Sequence, residues 1–253
     1  QELAIVATEK HCFTAVEVLK KDDEKVTLKM PSCVEGGQID GLIVIGEIDK
    51  RYIAKLKDVV RIPVIFLGFY DKELAADAVV TDNFYGMFML TEFLFEQGID
   101  ELGFVGSIFS TSSIMDRYCG FMKSMMLHGK SIHPEWVIKD RDENGQMDFT
   151  LPKGRLPKGF VCNCDLAAVM LIEKLREKNI RVPDDVSVVG FDNYLYPGLA
   201  DCKITTYEVN IRAMTMVAIE KVLKQIKNPK SHHGLDIVSG KMVIKHSVKL
   251  KEK

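Results

Sequence analysis

The chain has 253 residues, and its 34 Lys and Arg residues against 36 Asp and Glu residues give a formal net charge of −2. This balance argues against a wide nucleic-acid-binding surface, because phosphate binding needs a strong excess of basic side chains. With 47% hydrophobic and 28% charged residues the composition is globular, and no apolar run approaches the roughly 18 residues of a membrane span, so we expect no membrane partner.

The first part of the chain alternates short apolar runs with longer amphipathic runs, a pattern typical of βα units on a parallel sheet. Apolar residues recur at helical spacing over 50–60 and over 84–98, and Gly98 is placed to cap the second of these helices. Between residues 9 and 40 there is room for only one short helix and one strand. The predicted strands are 3–8, 41–46, 63–68 and 78–83.

A second βα series follows, which predicts a second lobe of similar architecture. Its strands are expected at 101–107, 136–140, 159–165, 186–193 and 203–209, and its helices at 112–129, 166–179 and 211–228. A hairpin or strand pair is predicted at 235–249. The fold class is therefore α/β, with two similar Rossmann-like lobes built on parallel sheets.

Cysteine usage and the first residues predict the compartment. The six cysteines lie mostly inside apolar stretches, as expected for free thiols, and a chain of this size needs no disulfide to fold. The opening QELAIVATEK lacks the basic segment and apolar block of a secretory leader. We therefore expect a cytoplasmic protein.

A binding site is expected where the parallel strands end, because open α/β sheets bind ligands beyond the carboxyl ends of their strands. The residues there are polar, acidic and aromatic, which suits a polyhydroxylated or nitrogenous small molecule. Arg117, early in a helix, can add a forked donor. The strand-end residues are Thr8, Glu9, Glu47, Phe69, Tyr70, Asp82, Asn83, Ser107, Asp140, Asn163 to Asp165, and Asp192 to Tyr194.

The run RVPDDVSVVGFDN (181–193), followed by ITTYEVN (204–210), resembles the LacI/GalR family of bacterial transcription regulators. Further matching segments occur in the family's order, and the resemblance covers roughly residues 37–253. It implies the effector-binding core of such a regulator, which has the type I periplasmic-binding-protein fold. The other segments are VVTDNFYG (79–86), ELGFVGS (101–107), DRYCGF (116–121) and FVCNCDLAAVMLIEKLREKNIRVP (160–183).

Several effector contacts follow from the resemblance, position by position. Arg117 stands three residues before the Gly of an R-x-x-G-F motif, and Asp192 follows the Gly-Phe pair that closes a strand. Asp82 matches an acidic residue before the first-lobe helix, and Ser113 lies in the segment that lines the pocket. Where the family often has a polar contact residue, this chain has Cys164.

Three aromatic residues complete the candidate site. Tyr194, Phe69 and Phe13 are placed to pack on the apolar face of a ligand. We expect a sugar or a related metabolite, although a purine stays open because purine-sensing regulators share these motifs.

The resemblance also implies how the chain is organised. The first lobe is expected to hold residues 1–100 and 207–228, and the second 101–206 and 229–253, joined by a three-strand hinge. An effector bound in the cleft between the lobes would then alter DNA binding by an N-terminal helix-turn-helix, which this sequence does not contain. A homodimer is expected as well.

Other classes of protein are disfavoured by the sequence. There is no Gly-x-Ser-x-Gly elbow, phosphate loop or dinucleotide fingerprint, so we expect no enzyme and no cofactor. His232 and His233 are adjacent without a third ligand nearby, so no metal site is expected. The serious alternative is an exported sugar-binding protein of an ABC transporter, which has the same fold.

Overall fold

The backbone contacts divide the chain into two compact units. Unit one comprises Gln1–Thr81 and Asn210–Val238, and unit two comprises Asp82–Val209 and Ser239–Lys253, so the chain passes between them three times. The computed structural model describes residues 1–71, 77–142, 145–194, 203–231 and 234–251.

From residue 41 onward, the described residues form helices and strands in the order that the sequence predicts. The helices are α1 (Glu2–Glu9), α2 (Ser32–Glu35), α3 (Lys50–Val59), α4 (Asn83–Glu96), α5 (Ser112–Leu127), α6 (Asp165–Glu177) and α7 (Ile211–Lys227). The strands are β1 (Leu42–Ile45), β2 (Val64–Leu67), β3 (Asp77–Thr81), β4 (Leu102–Val105), β5 (Val137–Ile138), β6 (Gly159–Cys162), β7 (Ser187–Asp192), β8 (Thr205–Glu208), β9 (Leu235–Val238) and β10 (Lys241–Val243).

Unit one is built on a four-stranded sheet in the order β1-β2-β3-β9, and all of its strand pairs are parallel. Phe66 of β2 and Ile53 of α3 lie in the core beside it. Lys221 of α7 is buried and reaches Asp236 of β9 at 2.6 Å. The expected α/β class with parallel sheets is confirmed.

The predicted strand at 3–8 is wrong, because this segment forms α1. Its apolar residues Leu3, Val6 and Ala7 also recur at helical spacing, and they pack against Ile219 of α7. Arg212 of α7 pairs with the carboxylates of Glu2 and Glu9 at 2.8 Å. A six-residue apolar run fits either period, and the α7 face selects the helix.

Residues 9–40 hold no β-strand, contrary to the expectation of one strand. They contain a π-helical turn at Asp23–Thr27 and the short helix α2. Val16 and Val18 are exposed, so this stretch has no alternating buried face with which to join a sheet.

Unit two contains a six-stranded sheet in the order β10-β8-β7-β6-β4-β5. Its pairs are parallel except that of β10 with β8. Phe104, Phe160 and Phe191 are fully buried on this sheet, which accounts for the near-continuous apolar strands.

The segment 235–249 holds two strands, but the predicted hairpin or strand pair is wrong, because the two strands belong to different sheets. β9 pairs in parallel with β3 in unit one, whereas β10 pairs with β8 in unit two. The first change of unit also differs from the expected position near residue 100. It comes between Thr81 and Asp82, because α4 packs against α5 within unit two.

Among the described residues, none of the helices combines the length and the apolar character needed to cross a lipid bilayer.

The packing of α4 on α5 depends on Gly120. A methyl group at this position would lie 2.2 Å from the Phe84 carbonyl oxygen and 3.0 Å from the Phe88 amide nitrogen. Both atoms are backbone, so they cannot rotate away as a side chain could.

We predict that Gly120→Ala lowers the free energy of unfolding by about 1–3 kcal/mol, although Ala favours a helix by about 1 kcal/mol. Urea denaturation measures the change. Met126→Ala, at an exposed position of the same helix, should shift stability by less than about 0.5 kcal/mol. A Gly120→Ala variant as stable as the parent would contradict the close packing.

Candidate functional site

The polar residues that follow β4, β5 and β6 lie buried at one edge of the unit-two sheet. They are Ser107, Asp140 and Asn163. Asp140 accepts hydrogen bonds from the Ser107 amide and from the Asn163 side-chain amide, both at 2.7 Å. Its carboxylate therefore ties the ends of three neighbouring strands together.

Arg117 of α5 contributes a buried cation to this edge. Its Nε donates to the Asn83 side-chain oxygen at 2.8 Å, and Nη1 donates to the Asn163 carbonyl at 2.6 Å. Nη2 lies 3.3 Å from an Asp192 carboxylate oxygen, and the guanidinium carbon lies 3.9 Å from the centroid of the Phe191 ring. Because the fork is held from several sides, it is already oriented for recognition.

Asp192 lies in a strained turn at the end of β7. It has φ of 106° and Asn193 has φ of 52°, values that side-chain-bearing residues rarely adopt. The turn is held from several directions: Asn193 donates to Glu208 at 2.6 Å and accepts from Lys245 Nζ at 2.6 Å. Strain of this kind persists only where the surroundings impose it, and it is concentrated at functional sites.

Asp165, at the start of α6, supports the same turn. Its carboxylate accepts from the Thr206 hydroxyl at 2.7 Å and from the Tyr194 amide at 3.2 Å. Burial raises the pKa of Asp165 to about 7, although the Thr206 hydrogen bond opposes the rise; the charge of Asp192 adds to it. A Cβ on Gly190 would lie 2.2 Å from an Asp165 carboxylate oxygen, so the carboxylate can occupy this position only because residue 190 has no side chain.

Arg117 and Asp192, which the sequence predicts as contacts, are brought together, while the other predicted residues are placed differently. Asp82 caps α4 by accepting from the Tyr85 amide at 3.1 Å, and the adjacent Asn83 is the residue that meets Arg117. Ser113 lies half-buried in the first turn of α5.

Cys164 and Tyr194 both adjoin Asp165: Cys164 precedes it in the chain, and the Tyr194 amide donates a hydrogen bond to it. Cys164 is buried before α6, and burial raises the pKa of its thiol to about 12, so the thiol is neutral at physiological pH. The side chain of Tyr194 is exposed, and its backbone amide supports the turn.

The two remaining aromatic candidates lie in unit one. Phe69 is only 2% exposed and its ring stacks on Phe66 with centroids 4.4 Å apart, so it serves the core of that unit. Phe13 is 97% exposed. Ligand packing by either ring stays a prediction.

Three residues at this edge are not predicted from the sequence: Thr206, Lys245 and Arg141. Thr206 and Lys245 bond to residues 41 and 52 positions away, which a linear motif does not reveal. Arg141 directly follows the strand-end residue Asp140, and this position was the available signal.

Within the described residues no group of His, Cys, Asp and Glu could hold a metal ion; His232 and His233 lie outside them.

Comparisons with known proteins identify the family. The model of the periplasmic binding protein-like domain matches residues 91–248, more than half of the chain. The chain belongs to the periplasmic binding protein-like domain family. The matched range includes Arg117, Asp140, Asp165 and Asp192.

Relatives of this periplasmic binding protein-like domain include transcriptional repressors. The HTH-type transcriptional repressor PurR of Pasteurella multocida is 24% identical over 255 residues, covering 97% of this chain and 76% of the repressor. A putative transcriptional regulator LacI from Bacillus cereus has a TM-score of 0.79 at 21% identity, covering 99% of this chain and 90% of that one. The expected resemblance to the effector-binding domain of LacI-type regulators is confirmed.

A further structural neighbour was solved with a ligand. The LacI family transcriptional regulator from Enterococcus faecium contains bound ribose, and it has a TM-score of 0.75 at 18% identity, covering 99% of this chain and 93% of that one.

Asp165 makes the stability of the fold depend on pH. A free aspartate has a pKa of about 3.9. Between about pH 4 and 7 the native state therefore binds more protons than the unfolded state, so this group's contribution to the unfolding free energy falls as pH rises. The loss over this window is on the order of 4 kcal/mol.

We predict that Asp165→Asn removes this part of the pH slope, because asparagine fills the space without titrating. Denaturation midpoints measured from pH 4 to 8 give the dependence of stability on pH in the parent and in the variant. Asp185→Asn is the control: hydrogen bonds from Arg181 lower the pKa of Asp185 to about 2, below the window. An unchanged slope in Asp165→Asn would contradict the assignment.

Proposed function

We propose that this domain is the sensor through which a LacI/GalR-type regulator responds to a small polar metabolite, a sugar or a sugar derivative. The observation that carries the proposal is the pairing of the held Arg117 fork with Asp192 at the carboxyl end of β7. Carboxylate oxygens accept hydrogen bonds from sugar hydroxyl groups, and the guanidinium donates hydrogen bonds to ring or hydroxyl oxygens.

Two observations support a sugar as the ligand class. It lies at the carboxyl ends of parallel strands, where α/β sheets bind their ligands. The ribose in the Enterococcus faecium regulator is consistent with a sugar as the class of ligand.

The regulatory part of the proposal is that effector binding alters DNA binding by a helix-turn-helix in a cytoplasmic homodimer. Binding can do so only if the effector has different affinities for two arrangements of the protein. The repressor relative supports this reading over an exported transport receptor, which is not favoured.

A thermal-shift screen against pentoses, hexoses, disaccharides and nucleobases tests the proposal. A ligand at 100 times its Kd adds about 2.7 kcal/mol to stability, which raises the Tm by roughly 5–10 °C for a chain of this size. We predict that a sugar produces such a shift and that Arg117→Lys and Asp192→Asn each weaken binding at least tenfold, about 1.4 kcal/mol, through the loss of charge-assisted hydrogen bonds.

Matched controls are available in the same unit. Arg181 and Asp185 form an exposed ion pair at 3.1 Å, so Arg181→Lys and Asp185→Asn repeat the two chemical changes away from the site. These variants should bind like the parent. Failure of every sugar to bind, or equal affinity in Arg117→Lys and its control, would overturn the proposal.

A further inference from the structure

A second arginine, Arg141, stands beside the Arg117–Asp192 pair. Arg141 follows Asp140, and its amide donates to the Ser107 hydroxyl at 3.1 Å, which fixes its backbone to the strand ends. Its side chain is only 23% exposed. The guanidinium is therefore held near the site and is not extended into solvent.

The nearest acid does not satisfy this guanidinium. Arg141 Nε lies 3.7 Å from an Asp140 carboxylate oxygen, which is beyond hydrogen-bond distance. That same oxygen already accepts from the Asn163 amide at 2.7 Å, and the other accepts from the Ser107 amide. Within the part of the chain that the structure describes, the side chain of Arg141 donates no hydrogen bond.

Among the residues that the structure describes, Arg117, unlike Arg141, donates hydrogen bonds from its guanidinium. Its fork donates to Asn83 and Asn163 and pairs with Asp192. Arg141 has the same five N–H donors, and among the described residues its one ion pair is the longer-range contact with Asp140. A half-buried guanidinium in this state loses water without gaining acceptors, and a ligand that supplies acceptors regains that free energy.

The charge of Arg141 also acts on the site itself. Burial raises the pKa of Asp192, and the positive charges of Arg117 and Arg141 both oppose that rise. Asp192 is thus within the electrostatic reach of two guanidiniums, of which one is already hydrogen-bonded.

We propose that Arg141 binds an anionic group of the effector, a carboxylate or a phosphate, so that the effector is a sugar acid or a sugar phosphate and not a neutral sugar. This inference rests on the proposed function and specifies its ligand class. A planar guanidinium fork matches both anions in bidentate geometry. A neutral sugar lacks the paired acceptors and leaves the fork incompletely satisfied, which is how such sites discriminate between ligands.

Isothermal titration calorimetry with matched ligand pairs tests this inference. The probes are D-glucose, D-gluconate and D-glucose 6-phosphate, together with D-ribose and D-ribose 5-phosphate. At least one anionic probe should bind tenfold or more tightly than its neutral parent, and the identity of that probe distinguishes carboxylate from phosphate. Its affinity should fall with added salt.

The decisive variant is Arg141→Gln, which keeps hydrogen-bonding capacity and removes the charge. It should lower the affinity for the anionic probe tenfold or more and change the affinity for the neutral parent by less than about twofold. Arg141→Lys should retain part of the preference for the anionic probe. Arg155→Gln serves as the control, because Arg155 is an exposed arginine of unit two that pairs with Glu101.

The outcomes separate the two proposals. Neutral sugars that bind as tightly as their acids, or an Arg141→Gln variant that weakens both probes equally, would overturn the anionic effector and leave a sugar sensor standing. No binding by any probe, neutral or anionic, would overturn both.

Discussion

The site depends on the capture of one buried guanidinium by acceptors from separate parts of the chain. Asn83 reaches Arg117 from α4, Asn163 from the end of β6 and Asp192 from the end of β7. A buried charge is costly unless it is paired and hydrogen-bonded, so each of these acceptors must stay in place. The polar side chains at the sheet edge are thus held by contacts within the protein.

A second layer holds the first in position. Asp140 fixes Asn163, whose carbonyl group meets Arg117, while Asp165 fixes the turn that presents Asp192. Both acids are buried, and among the described residues neither forms a hydrogen bond or ion pair with Arg117. Buried carboxylates and a strained turn lower stability, and their concentration at one edge of one sheet is consistent with the proposed binding site.

The sequence predicted unit two well because its signals are local. Arg117 and Asp192 each stand at a fixed spacing from a glycine, and the strands have the near-continuous apolar runs of a covered parallel sheet. It predicted unit one less well at its beginning, where 3–8 fits the periods of both strand and helix and tertiary packing decides. The partners of Asp165, such as Thr206, depend on strand register, which spacing along the chain does not encode.

The central claim is that a sugar-class effector binds at the Arg117–Asp192 pair, and NMR of the two side chains tests it most directly. The Nε–Hε resonance of Arg117 and the carboxyl carbon of Asp192 can be followed during titration with the ligand that stabilises the protein most. Both resonances should shift in proportion to saturation, while those of the exposed Arg181–Asp185 pair stay constant. Saturation of the protein without movement of either site resonance would contradict the account.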